Sequence, residues 1–174
     1  MKLTANKRMA LVAIAVLAFD QLTKLLVLNY LGYDQERVMI QGFFKFVHWV
    51  NTGAAWSLFR DNNDLLAIVS LGALLVLFLS RRHFESGKLS GQLALGLLFG
   101  GIMGNLVDRL HPDRRHVIDF IYFYVNQRDG GQIGFPAFNI ADSAICIGVG
   151  LLFILSWQSD PSRRSDPQSS IQPG

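Results

Sequence analysis

The sequence predicts an all-α membrane protein with four transmembrane helices, and three observations carry that prediction. Of 174 residues, 51% are hydrophobic and only 17% are charged, where a soluble domain is nearer a quarter charged. Four apolar runs, at about residues 9–28, 63–80, 89–110 and 138–157, approach or reach the ~20 residues a helix needs to cross the hydrocarbon core. The basic residues gather at the ends of these runs. Membrane topology therefore explains the net charge of +3 better than nucleic acid does, and no nucleic-acid partner is expected. The length fits one domain over residues 1–160, with a polar tail at 161–174 whose composition reads as disordered.

The first run, Met9 to Leu28, follows Lys2, Lys7 and Arg8. A cleaved signal peptide is its rival reading. No small-x-small cleavage pattern follows, however, and the run continues through Asp20 and Lys24. Those two residues are four apart and suit an ion pair on one helix face. Asp20 lies deep in the run and reads as a buried structural partner.

The link that follows is mixed. Gly42 to Val50 is aromatic and leans to strand, Asn51, Thr52 and Gly53 can turn the chain, and a small-residue stretch then suits a short helix. Phe43, Phe44, Phe46, Trp49, Trp56 and Phe59 fit a structure resting at the bilayer interface, although packing alone also accounts for such a stripe.

The second run, Leu65 to Ser80, ends at Arg81, Arg82 and His83. The third carries Gly96, Gly100 and Gly104 at four-residue spacing, so one helix face is bare backbone suited to close packing in lipid. The fourth spans about Phe138 to Trp157. Lys2, Lys7, Arg8, Arg81, Arg82, Lys88, Arg163 and Arg164 fall on one side of a four-span chain. Both termini are therefore expected in the cytoplasm, with the two long links, about 29–62 and 111–137, facing outward. The single cysteine, Cys146, excludes an internal disulfide and reads as a small buried residue. The four histidines show no ligand spacing, so no metal site is expected.

The chemistry concentrates between Gly104 and Ser143, where Asp108, Asp119 and Asp142 sit in or beside apolar sequence. The third and fourth runs must end and begin on the same side, so these acids can meet at one bilayer surface. Desolvating them costs several kcal/mol unless something pairs or uses them. Asn105 and Asp108 share a helix face, as do Asn139 and Asp142. Arg109 is positioned to hold Asp108 ionised, and the start of the fourth helix favours an ionised Asp142. The apolar flanks of Asp119 should raise its pKa. Asp119 with Asp142 is then the pair suited to share a proton and hydrolyse an amide. Proton or ion translocation and a purely structural role fit the same spacing.

Five stretches narrow these alternatives: FDQLTK with Asp20, VNTGAAWS from Val50, GNLVDR from Gly104, HVIDF from His116 and PAFNIADS from Pro136. In this order they resemble the lipoprotein signal peptidase family, also called signal peptidase II, and the resemblance runs nearly to Trp157. It implies a bacterial inner-membrane aspartyl endopeptidase, with its site at the periplasmic face. Such an enzyme removes the signal peptide of diacylglyceryl-modified prolipoproteins, cutting before the lipid-bearing cysteine. The catalytic pair maps onto Asp119 and Asp142. Asn51, Gly53, Asn105, Asp108, Arg109 and Asn139 match substrate-holding and site-shaping positions, and Asp20 matches a structural acid. The resemblance further implies a small periplasmic β-cradle with a short helix, suiting residues 41–60; no cofactor is expected, since two carboxylates and a water suffice. The expected partners are the prolipoprotein and membrane lipid, and a monomer is expected. Trp56 stands where phenylalanine is expected, and VNQRDGGQIGF reads as a long, flexible outward loop.

Overall fold

The structure, a computed structural model, describes residues 3–53, 61–83, 88–128 and 130–158. The expected short helix, Trp56 and the polar tail lie outside the described residues. Four helices are present among them: α1 (Ala5–Tyr30), α2 (Asn63–Ser80), α3 (Leu89–Leu110) and α4 (Ile140–Gln158). Each is long and apolar enough to cross a membrane. Large apolar side chains such as Leu11, Phe19, Ile68, Leu79 and Phe153 point outward, as lipid-facing helices require. Cys146 is exposed on α4 rather than buried.

α3 is the central post, packed along α1 and α4 and touched by α2. Its glycines are the reason. A Cβ built on Gly96 would lie 2.6 Å from Val12 Cβ, one on Gly100 2.6 Å from the Ala13 carbonyl, and one on Gly104 2.6 Å from Asp20 Oδ2. All three contacts are to α1. Gly101 does the same for α4, where a Cβ would lie 2.5 Å from the Ala141 carbonyl. Backbones approach this closely in lipid only where no side chain intervenes.

The links build more strand than an all-α description allows. β1 (Glu36–Ile40), β2 (Phe44–Asn51), β3 (Val117–Asn126) and β4 (Gln132–Gly134) form one antiparallel sheet in the order β1-β2-β3-β4. Gly42, at φ +73°, turns the chain between β1 and β2, a conformation that glycine adopts without steric penalty. Strand alternation then sorts the aromatic residues by face. Phe44 and Phe46 cluster with Phe123, while Lys45 lies over the rings of Tyr122 and Tyr124 and pairs with Glu36. The segment expected as a loose loop is instead a hairpin, with Val125 opposite Ile133 and Tyr124 opposite Gly134. The backbone of Phe138 then bonds to Phe120 and Ile121. This bridge joins the sheet to the start of α4.

Candidate active site

α4 begins just after Asn139, whose position is fixed by the bridge from the preceding Phe138 to Ile121 of β3. Its Oδ1 accepts from the backbone N–H of Asp142 at 2.9 Å, and its own N–H donates to Asp142 Oδ2 at 3.2 Å. This is a reciprocal capping arrangement in which Asp142 satisfies a helix-terminal donor. With Oδ1 so engaged, the Asn139 Nδ2 donates to Asp119 Oδ1 at 2.8 Å, Asn105 Oδ1 at 3.2 Å and the Ile118 carbonyl at 3.3 Å.

Asn139 therefore touches both predicted catalytic aspartates. The β2–β3 register sets Asn51 opposite Val117 and Trp49 opposite Asp119, which leaves Asn51 diagonal to Asp119 and within reach. The Asn51 Nδ2 donates to Asp119 Oδ2 at 2.8 Å, while its Oδ1 accepts from the Gly53 N–H at 2.9 Å. Across the site, the Asn105 Nδ2 donates to Asp142 Oδ1 at 2.7 Å. Asp119 is 3% exposed. Burial, and then the nearby Asp142 charge, push its pKa up to about 7 against the opposing bonds from Asn51 and Asn139.

Asp108 does not join this pair, nor does Arg109 hold it. The Asp108 Oδ2 lies 2.7 Å from Lys24 Nζ, which also meets Asp20 Oδ2 at 2.8 Å and Asn105 Oδ1 at 3.1 Å. All three charged side chains are at most 1% exposed. Because α1 and α3 approach so closely, the Asp20 carboxylate packs against Gly104 and the Lys24 ammonium reaches Asp108 and Asn105 on α3. Arg109 instead donates to the carbonyls of Gly53 at 3.2 Å and Asn105 at 3.3 Å, tying the turn after β2 to α3. Asp20 has a second role, since its Oδ1 accepts from the Ala141 N–H at 2.9 Å and so anchors the first turn of α4.

Two participants escaped the sequence reading. Lys24 was read only as a partner for Asp20. Gln21, whose Nε2 bonds Asp20, the Gly104 carbonyl and Asp108, was not singled out. Four polar residues, Asp20, Gln21, Thr23 and Lys24, within five positions of a largely apolar helix were the available signal.

A cleft of about 370 Å³ adjoins the pair. Asn51, Asn105, Arg109 and Asp142 form its polar end, and Val69, Ala73, Ile102 and Ile145 its apolar wall. It lies between α2, α3 and α4, so a chain entering it passes from apolar walls to the Asp142 carboxylate.

The fold and this site define a multi-pass membrane protein with a polar, acid-bearing centre. Residues 12–158 match the family model described as Signal peptidase (SPase) II. The lipoprotein signal peptidase of Geobacillus thermodenitrificans is 39% identical over 145 residues, covering 83% of this chain and 86% of that one. The Azoarcus enzyme of the same name is 42% identical over 147 residues, covering 80% and 77%. A solved bacterial membrane enzyme superposes with a TM-score of 0.72 at 30% identity, covering 91% of this chain and 92% of its own. The chain belongs to the signal peptidase II family and is a transmembrane hydrolase.

Proposed function

We propose that this protein is an aspartyl endopeptidase of the bacterial inner (cytoplasmic) membrane. It removes the signal peptide from diacylglyceryl-modified prolipoproteins, cutting before the lipidated cysteine. The observation that carries this reading is the pair of carboxylates, Asp119 and Asp142, bridged by Asn139, with Asp142 lining the polar end of an apolar cleft.

Near neutral pH the pair shares one proton. The ionised carboxylate takes a proton from water as its oxygen attacks the scissile carbonyl, and the protonated partner donates to the carbonyl oxygen. Collapse of the resulting diol breaks the C–N bond. The leaving nitrogen takes one proton from the pair while a diol hydroxyl returns one, so the starting state is restored. Two carboxylates and a water balance the reaction without a metal or organic cofactor. Asn51, Gly53, Asn105, Arg109 and Asn139 hold the pair and the turn that borders the cleft, while Asp108 and Asp20 brace them from below.

In this reading the sheet is a periplasmic cradle, both termini are cytoplasmic, and a monomer suffices. The substrate, anchored in membrane lipid by its own acyl chains, reaches the cleft by lateral diffusion. Purified protein should cleave a diacylglyceryl prolipoprotein immediately before the modified cysteine. Asp119→Asn and Asp142→Asn, each still folded, should lower the rate by about 10³-fold or more. Folded wild type that cuts nothing, or an Asp119→Asn enzyme that keeps its rate, would sink the proposal.

A further inference from the structure

Three asparagine amides face the two aspartates, and each has a donor end and an acceptor end that only its neighbours distinguish. For Asn51 the choice is made by the Gly53 N–H, and for Asn139 by the Asp142 N–H, each held on Oδ1 at 2.9 Å. A backbone N–H cannot accept, so both amides turn their NH₂ groups toward Asp119. Asn105 is held differently. Its Oδ1 meets the Lys24 ammonium at 3.1 Å and the Asn139 Nδ2 at 3.2 Å, and its Nδ2 meets Asp142 Oδ1 at 2.7 Å.

We propose that Lys24 is a positioning residue for catalysis, its ammonium fixing the Asn105 amide so that an N–H, and not a carbonyl oxygen, faces Asp142. An ammonium has three donors and no acceptor, so the reversed amide would set donor against donor at Lys24. It would also set oxygen against oxygen at Asp142, an arrangement relieved only if that carboxylate takes up a proton. The pair would then hold two protons and lack the base that activates water. Lys24 thus acts on the dyad through one side chain, although it touches neither catalytic aspartate within the bonds described. Its burial fits this role, because water at the ammonium would offer Asn105 alternative partners. Lys24 meets Asp20 on its own helix and Asp108 on α3, and Arg114 lies 3.9 Å from Asp108. Asp142 faces Asn105 on α3, and the charges near it are Arg109, Asp119, Asp20 and the Lys24 ammonium itself, so a through-space effect of Lys24 is the rival that the test must separate.

This inference rests on the peptidase reading, and the pH profile of kcat/KM for prolipoprotein cleavage tests it. Lys24→Met/Asp108→Asn removes the cation together with one of its anions, so the formal charge of the cluster is unchanged. Asp20 keeps its bonds from Gln21 and Ala141. The acid limb of the profile should move up by about one pH unit, the scale of a lost hydrogen bond to a charged group. Asn105→Leu should give a similar shift, and combining the changes should add nothing. A shift that persists undiminished in the Asn105→Leu background means Lys24 acts by through-space charge, which overturns the proposal. An unmoved acid limb, with only kcat or Tm lowered, means a merely structural role and also overturns it. If the double variant does not fold, Asn105→Leu alone decides, because an unmoved limb there removes the amide from the argument. A wild type that cuts nothing removes the peptidase reading itself, whereas a cutting wild type with unmoved variant limbs removes this inference alone.

Discussion

Asp119 is the residue in which sequence and environment combine most directly. Ile118 and Phe120 flank it on a buried strand, and burial is the largest cause of its raised pKa, about 7. Below that value the group keeps its proton; above it, in the proposed mechanism, both carboxylates carry charge and the acid of the pair is lost. The expected outcome is a kcat/KM that falls about tenfold per pH unit well above pH 7, measured on lipidated substrate. Asn51 donates to Asp119 and so favours its charged form. Asn51→Leu should therefore move the basic limb to higher pH while lowering the maximum rate. That Asp119 and Asp142 come together around one asparagine follows from the bridge between β3 and the start of α4. The partner of Asp108 was not legible, because Arg109 is its neighbour in sequence but Lys24 is its neighbour in space. The amide orientations were beyond reach for the same reason, since each depends on a donor from elsewhere in the fold.

Among the elements, α3 shows how far periodicity can be read. The spacing of Gly96, Gly100 and Gly104 marked a bare face, but only the packed structure assigns that face to α1 and the neighbouring Gly101 to α4. Gly100→Val should strain the Ala13 and Val16 contacts by about 1–3 kcal/mol, read as a lowered Tm in detergent. Gly104→Ala presses on Asp20, which also holds the first turn of α4, so it should lower kcat as well as Tm. Gly72→Ala meets nothing within 4 Å and is the control expected to change neither. The strands were less legible than the helices. β1 is exposed along its whole length and β4 is three residues long, so neither carries the alternation that betrays a half-buried strand.

The molecule as a whole places a polar centre at the end of the bundle where α1 and α3 finish and α2 and α4 begin. Under the proposed orientation, a cysteine introduced at Asp113 should react with an impermeant maleimide in spheroplasts, and one at Arg82 should react only after lysis. Ala73→Trp would fill the apolar wall of the cleft and should raise KM several-fold with a smaller change in kcat. Helix number and order were readable because a bilayer demands long apolar segments whatever the tertiary structure. The cleft was not, since it exists only where α2, α3 and α4 converge.

α2 leans on α3, and the cleft beside it is walled by apolar side chains from three helices. A substrate tethered by acyl chains meets such an opening in two dimensions, so the relevant concentration is a surface density and not a molarity. Diluting the mixed micelle with inert lipid, at constant enzyme and substrate per millilitre, should slow cleavage in proportion to the substrate's mole fraction. Doubling the total volume should leave turnover per enzyme unchanged. Under the proposed function the bilayer is part of the rate law.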